Sequence, residues 1–324
     1  MSIWFLLAQP FAQHALVAAA LVAVTCGLIA PLVVIRGMSF AVHGTAELAF
    51  TGAAAGLLIA NNPVAGALAG SLVVAVLIST LGSRPRERDS AIGAILAFGM
   101  GIGILLLGFY QGFATAATNI LFGNIFGVSG SQLLILVIIN LLVVAVMATW
   151  YRPLLFASID PEAAEARGVP VGRLGLLFLI VLALTVTGAA QVVGTLLVLS
   201  LAITPAAAAQ RLSASPLVVT ALSVVFAVIA ADGGLLASFG AVNIKASVFI
   251  TSISFAIYLA ARLAGPRLRD RRQRHHAQPA DGAYADYAPG QTDTSTATAT
   301  PPGDGSTASN LRPVRRPAPG PGGP

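Results

Sequence analysis

Nine long apolar runs separated by short polar breaks set the pattern of this chain, at about 13–35, 40–60, 63–82, 91–110, 131–151, 173–190, 192–210, 216–231 and 246–264. A helix needs roughly 20 predominantly apolar residues to cross the hydrocarbon core of a bilayer. The pattern therefore predicts an all-α, polytopic membrane protein with about eight or nine transmembrane helices. The 173–210 block and the Gly-rich 232–245 segment can each be divided differently, which leaves eight, nine or ten crossings open. The first run starts after Gln9-Pro10 and continues without a small-residue cleavage site, so it is expected to be a retained span rather than a removed signal peptide.

The polar breaks carry an alternating charge pattern. Arg36, then Arg84, Arg86 and Arg88, then Arg152, Arg167 and Arg173, then Arg211, then the cluster in 262–274 fall in alternate loops. The opposite loops, near 61–62, 111–130 and 232–245, hold only Asp232 and Lys245. Because basic loops stay on the cytoplasmic side, this predicts an outer N-terminus and an inner C-terminus. In the outer loop 111–130, Leu121-Phe122-Gly123-Asn124-Ile125-Phe126-Gly127-Val128-Ser129 is apolar but interrupted, so it is expected at the interface or re-entering the bilayer.

One inner break has helix signals of its own: Asp160-Pro161-Glu162-Ala163-Ala164-Glu165-Ala166-Arg167-Gly168-Val169. Asp160 can cap, Pro161 suits the first helical position, and Gly168 suits a left-handed stop. A helix of this length does not hold alone in water, so it is expected to rest against a neighbour. The residues by themselves fit either a cytoplasmic loop with one ordered turn or a docking element.

Composition agrees with the membrane reading. The chain is 56% hydrophobic and only 9% charged, where soluble domains carry about 25% charge. Residues 1–261 carry a net charge of +2 and residues 262–324 a net of +4, so the basic balance marks a membrane edge and a tail, not a nucleic-acid surface. Residues 1–265 form the expected membrane domain, and 266–324 a basic and then disordered cytoplasmic tail rich in Pro, Ala, Gly, Thr and Asp. His275-His276 in that tail reads as a solvated pair. Cys26 is the only cysteine, which rules out an internal disulfide and a thiolate metal cage. Nothing matches a P-loop, and no Ser/His/Asp or Cys/His arrangement points to nucleophilic catalysis. Any ATP used is hydrolysed by another polypeptide.

Two ionisable residues stand inside the second run. His43 and Glu47 are four apart, which places imidazole and carboxylate on one helical face, one turn from each other. A carboxylate at that depth costs at least ~2–3 kcal/mol and ordinarily faces a wet path or a partner. One nitrogen and one carboxylate suit Zn²⁺ or Mn²⁺ in transit; an internal His–Glu hydrogen bond is the structural alternative. His14 reads as an interfacial side chain. Gly52/Gly56, Gly66/Gly70 and Gly99/Gly103 have the spacing of close helix packing. Gly188, Gln191, Gly194, Thr204 and Pro205 interrupt the runs after the capped helix, either as a broken helix lining a pathway or as a plain kink.

Several segments together resemble the permeases of zinc, manganese and iron ABC importers, the metal branch of the type II importers. They are Met38-Ser39-Phe40 through Gly52-Ala53-Ala54-Ala55-Gly56, Asp89-Ser90-Ala91-Ile92-Gly93, Leu121-Phe122-Gly123-Asn124-Ile125, Asp160 through Gly168, Gln191-Val192-Val193-Gly194-Thr195-Leu196-Leu197-Val198, and Thr204-Pro205-Ala206-Ala207-Ala208-Ala209. They occur in the family's order and cover about 30–265. The resemblance implies a type II ABC importer permease fold, a homodimer or one half of a permease pair, and a metal path along the dimer axis. It implies a separate ATP-binding subunit and an extracytoplasmic metal-binding lipoprotein. Stretch 160–168 would be the coupling helix, with Asp160, Pro161, Glu162, Ala163, Ala166, Arg167 and Gly168 at the ATPase.

The sequence departs from that family twice. Members usually carry an Asp and a His one turn apart at the start of the second span, whereas here the order is imidazole then acid, His43 then Glu47. An Asp-x-Pro-x-Gly pattern usual before the last span is replaced by Asn243-Ile244-Lys245-Ala246-Ser247, and Lys245 would repel a cation if it faced the path. The expected function is the permease of an ATP-driven divalent-metal importer, zinc favoured over manganese or iron. The metal is cargo, with no cofactor bound by this chain, in a bacterial plasma membrane. The alternatives are an ABC permease for iron chelates or vitamins, a proton-coupled secondary transporter using His43 and Glu47 as a relay, and a scaffold whose 267–274 cluster binds anionic lipid.

Overall fold

The computed structural model describes residues 9–80, 85–111, 113–195, 197–240 and 244–276. They form helices α1 (Pro10–Ile35), α2 (Ser39–Ala60), α3 (Pro63–Thr80), α4 (Pro85–Gly108), α5 (Phe113–Phe122), a 3-10 turn (Ile125–Gly127), α6 (Gly130–Ile159), α7 (Pro161–Ala166), α8 (Val171–Val193), α9 (Val198–Ala202), α10 (Thr204–Leu212), α11 (Pro216–Ser238) and α12 (Ala246–His276). No strand occurs among the described residues. Eight of the helices, α1–α4, α6, α8, α11 and α12, are long and apolar enough to cross a membrane. The all-α polytopic expectation holds.

Contacts at the helix ends define two faces of the bundle. At one end the rings of Phe11, Phe126 and Phe239 meet in a row, the first pair edge-to-face and the second tilted, with centroids 6.2 and 5.5 Å apart. Lys245, just before α12, stands over the Phe122 ring at the same end. At the other end Arg36 meets Ser158, the Tyr151 hydroxyl reaches Pro216 and Thr220, and Gly265 abuts the Arg211 backbone. The first end is the one that the arginine pattern predicts to face outward, and it is called the outer end below.

This geometry resolves the division that the sequence left open between eight, nine and ten crossings. The 192–210 run is not one helix: α8 stops at Val193, the chain unwinds at Gly194 (φ +94°), and α9 and α10 follow as short pieces broken at Ile203. Gly194 nevertheless packs on Phe122 and Gly123 at the outer end, while Arg211 sits beside Gly265 at the other. The segment thus crosses the bundle in broken form, as a ninth passage beside eight uninterrupted helices. A Gly with positive φ followed by Pro205 explains the break, and backbone groups freed there are enclosed by protein rather than lipid.

Other boundaries shift by a turn or two. α6 runs to Ile159 where the apolar run ended near 151, and α11 continues to Ser238 through the Gly-rich stretch. α12 persists to His276, so the basic stretch 267–274 extends the last helix. Residues 277–324, expected to be disordered, lie outside the described residues, as does Asn243.

Small side chains build the core. Ala12, Ala15, Ala18, Ala19, Ala23 and Ala30 are fully buried and make α1 a largely enclosed helix, with Phe11 and Val17 exposed. Lipid tails are as apolar as leucine, so helices in a bilayer associate through close packing rather than through exclusion of water. Between α2 and α3 the approach is closest. A Cβ on Gly52 would collide with the Gly66 carbonyl, and one on Gly66 with the Gly52 carbonyl. Gly103 of α4 instead makes room for the Phe50 ring, while the Thr51 hydroxyl donates to the Gly99 carbonyl at 2.6 Å. Large side chains such as Phe98, Leu105, Leu134, Leu141, Phe255 and Leu263 are exposed, as a lipid-facing surface requires.

Candidate metal pathway and coupling helix

α2 begins one residue after the turn Arg36-Gly37-Met38, in which Gly37 takes a φ of +62°. His43 and Glu47 occupy its second and third turns. Glu47 is 1% exposed, and neither its Oε2 nor the buried Nδ1 of His43 has a hydrogen-bond partner. The internal His–Glu hydrogen bond that would make the pair purely structural is therefore not formed. Among the described residues no third His, Cys, Asp or Glu joins them. Two donors hold a metal weakly, and a carboxylate left unpartnered in an apolar interior is otherwise expensive. On the outer side of Glu47, Phe50, Ala54 and Leu107 pack with Leu121 into an apolar layer.

A second polar region opens at the outer end. A cavity of about 260 Å³ is bounded by α2, α3, α5, α6 and α8, and its polar lining is Asn119, Asn124, Gln132, Thr187, Gln191 and Thr195. Ala49 and Ala53 form its α2 wall, on a different face of that helix from His43 and Glu47. Asn119 and Asn124 are exposed, whereas Thr187 and Thr195 are buried. Thr187 donates to the Ser71 hydroxyl at 2.7 Å, and the Thr195 N–H donates to the Ile120 carbonyl at 3.3 Å. The apolar 121–129 stretch is thereby folded back against the end of α8, in line with a segment re-entering the bundle. Of the polar lining residues the sequence singled out Gln191 as a break, Asn124 within the interrupted 121–129 stretch and Thr195 within a segment matching the family, but did not bring them together. Thr187, Gln191 and Thr195 recur every four residues, one helical face, and that spacing was the available signal.

Lys245 borders a neighbouring cavity of about 310 Å³ with Asn119, Gly123, Val192 and Ser247. Its ammonium lies 5.0 Å from the centre of the Phe122 ring, a cation–π placement.

At the opposite end, α7 has the caps that its sequence predicts. Asp160 Oδ1 accepts from the Ala163 N–H at 2.9 Å, Pro161 occupies the first turn, and Gly168 takes a φ of +79°. The Val169 N–H reaches back to the Ala164 carbonyl at 3.0 Å, closing the helix. Ala164 is fully buried, so the helix does rest on its neighbours, and the Arg167 guanidinium lies 5.5 Å from the Phe156 ring centre. Asp160, Pro161, Glu162, Glu165, Ala166, Arg167 and Gly168 are exposed and Ala163 is half-buried.

The model of the ABC 3 transport family matches residues 8–265. The chain belongs to the ABC 3 transport family. This ABC 3 chain is 33% identical to the manganese transport system membrane protein MntC of Halalkalibacterium halodurans over 71% of its length and 79% of that protein. It is 30% identical to the manganese import system permease protein ScaB of Streptococcus gordonii, over 80% of its length and 93% of that protein. Among solved structures it resembles PsaBC from Streptococcus pneumoniae in complex with Fab, with a TM-score of 0.75 and 28% identity, covering 84% of this chain and 98% of that one. The resemblance to metal ABC importer permeases is borne out, and with it the permease fold. The ABC 3 chain is a membrane transport subunit, not an enzyme. The preference for zinc finds no support, since these relatives are named for manganese.

Proposed function

We propose that this permease forms the translocation path of an ATP-driven divalent-metal importer and that manganese is its cargo. The observation that carries this reading is the pair His43–Glu47, one turn apart in a chain of this family, with Glu47 buried, His43 half-buried, and neither Glu47 Oε2 nor His43 Nδ1 hydrogen-bonded. Carboxylate and neutral oxygen donors suit Mn²⁺, and a single imidazole does not exclude it. Names of relatives point the same way.

The mechanism is a population shift. An extracytoplasmic binding lipoprotein delivers the ion to the outer end. A separate ATP-binding subunit docks on α7 at Asp160, Pro161, Glu162, Ala163, Ala166, Arg167 and Gly168 and closes on ATP. The displaced helix tilts the bundle, so that the pair changes from outward to inward access. The permease itself makes and breaks no covalent bond. In this reading residues 1–265 are the membrane domain in a bacterial plasma membrane, and α7 and the tail 266–324 lie on its cytoplasmic side.

The test reconstitutes the full chain with its ATPase and binding protein in proteoliposomes and follows manganese and zinc uptake. ATP-dependent manganese uptake that falls at least tenfold in Glu47→Ala, with the ATPase still bound, is expected. Uptake abolished by a proton ionophore alone would instead assign the pair to a proton relay. Faster uptake of zinc than of manganese would overturn the choice of cargo.

A further inference from the structure

The outer cavity has no part in the pair and holds unspent bonding capacity. Thr195 is 1% exposed and lines the cavity, yet its hydroxyl has no partner. Both amide atoms of Gln191 are buried and also lack one. Buried polar groups without partners are rare because each costs about 1–3 kcal/mol, so something outside the chain is expected to satisfy these. The wall contains no charged side chain. It borders the last turns of two helices, α8 at Ala190 and Gln191 and α5 at Asn119 and Ile120, and helix C-terminal ends carry partial negative charge.

We infer that this cavity is a second cation site, one that holds a divalent ion with its water shell intact. The class of ligand rests on the proposed function, whereas the site rests on the cavity. A hydrated cation turns only O–H groups outward. It therefore binds to surfaces made of amide, hydroxyl and carbonyl oxygens, and six waters at about 30 Å³ each occupy about 180 Å³, which the 260 Å³ available accommodates. A ring of neutral oxygens recognises charge and hydration rather than metal identity. The site gathers divalent ions at the outer end, and dehydration is left to His43 and Glu47. Lys245 borders the adjoining cavity and shares Asn119 and Asn124 with this one, so its charge keeps the hold weak and the ion releasable.

The test titrates Mn²⁺ into the full chain in lipid nanodiscs without ATP and counts bound waters by electron–nuclear double resonance. In Glu47→Gln one Mn²⁺ with six waters per chain is expected to remain. Adding Gln191→Leu and Thr195→Val removes it. Gln191→Glu tightens it about tenfold or more, as a carboxylate near a dication must, and Lys245→Gln tightens it too. A purely structural role for Gln191 would weaken binding in both Gln191 variants. Loss of all Mn²⁺ in Glu47→Gln, retention in the Gln191→Leu/Thr195→Val chain, or weakening by Gln191→Glu or Lys245→Gln overturns the site. Failure of the transport assay by the wild-type complex is a separate result that overturns the proposed function instead.

Discussion

Arg36 donates its Nε–H to the Ser158 hydroxyl at 2.7 Å, across 122 residues of chain. The same guanidinium lies 4.5 Å from the centre of the Phe178 ring on α8. Three elements therefore meet at one side chain: the turn that launches α2 with its His43–Glu47 pair, the end of α6 two residues before the cap of α7, and the helix that follows α7. Arg36→Met keeps the apolar stem and removes the charged hydrogen bond. Stability should drop by about 1.5–3 kcal/mol. In the reconstituted complex, metal moved per ATP hydrolysed should fall while hydrolysis continues. An unchanged ratio would reduce this contact to a structural role.

The α2–α3 contact makes a sharper stability prediction. Gly52→Leu places a side chain where the Gly66 carbonyl already is. Backbone cannot yield as a flexible side chain does, so overpacking here should cost more than the usual 1–3 kcal/mol (about 4 or above). Folded yield and thermal melting in detergent read the effect. Gly101→Ala on α4, which has nothing within 4 Å, should leave both unchanged.

The cap of α7 can be separated from its surface. Asp160→Ala removes the acceptor for the Ala163 N–H and should cost about 0.5–2 kcal/mol, lowering ATPase stimulation partially. Ala163→Arg with Ala166→Arg keeps the caps but blocks the face, and should abolish stimulation while the permease remains folded by melting temperature.

Accessibility tests the orientation of the bundle. The native Cys26 is fully buried, so an introduced thiol can be labelled against a quiet background. Glu165→Cys should react with an impermeant maleimide only after cells are opened. Lys245→Cys should react in intact cells. The reverse pattern removes α7 from the cytoplasm and ends the coupling model.

His43 and Glu47 should differ in their effects. Glu47→Ala deletes the charged donor and should lower manganese uptake more than His43→Ala does. Glu47→Asp should retain a fraction of it, since the carboxylate survives with a shorter reach. Equal loss in all three variants would favour packing over ligation.

The legible part of this protein is local. Apolar runs gave eight membrane helices because each run is long enough by itself, and Asp160, Pro161 and Gly168 gave α7 because capping acts within one turn. The His43–Glu47 spacing placed both groups on one face for the same reason. The paired glycines announced close packing without naming the partners. The division of the 173–210 block stayed open because composition counts apolar residues, whereas Gly194 and Pro205 break the hydrogen-bond ladder inside them.

What only the tertiary structure decided is which sides of the helices meet. A helix that is apolar nearly all round carries no stripe to say how it turns about its axis. Its sequence therefore fixes that it crosses, but not what it faces. Gly52 against Gly66, Arg36 against Ser158, and Gln191 with Thr195 opening toward Asn119 and Asn124 all depend on those rotations. They are settled by how small side chains pack over the whole bundle, a sum over distant segments that no short stretch of sequence contains.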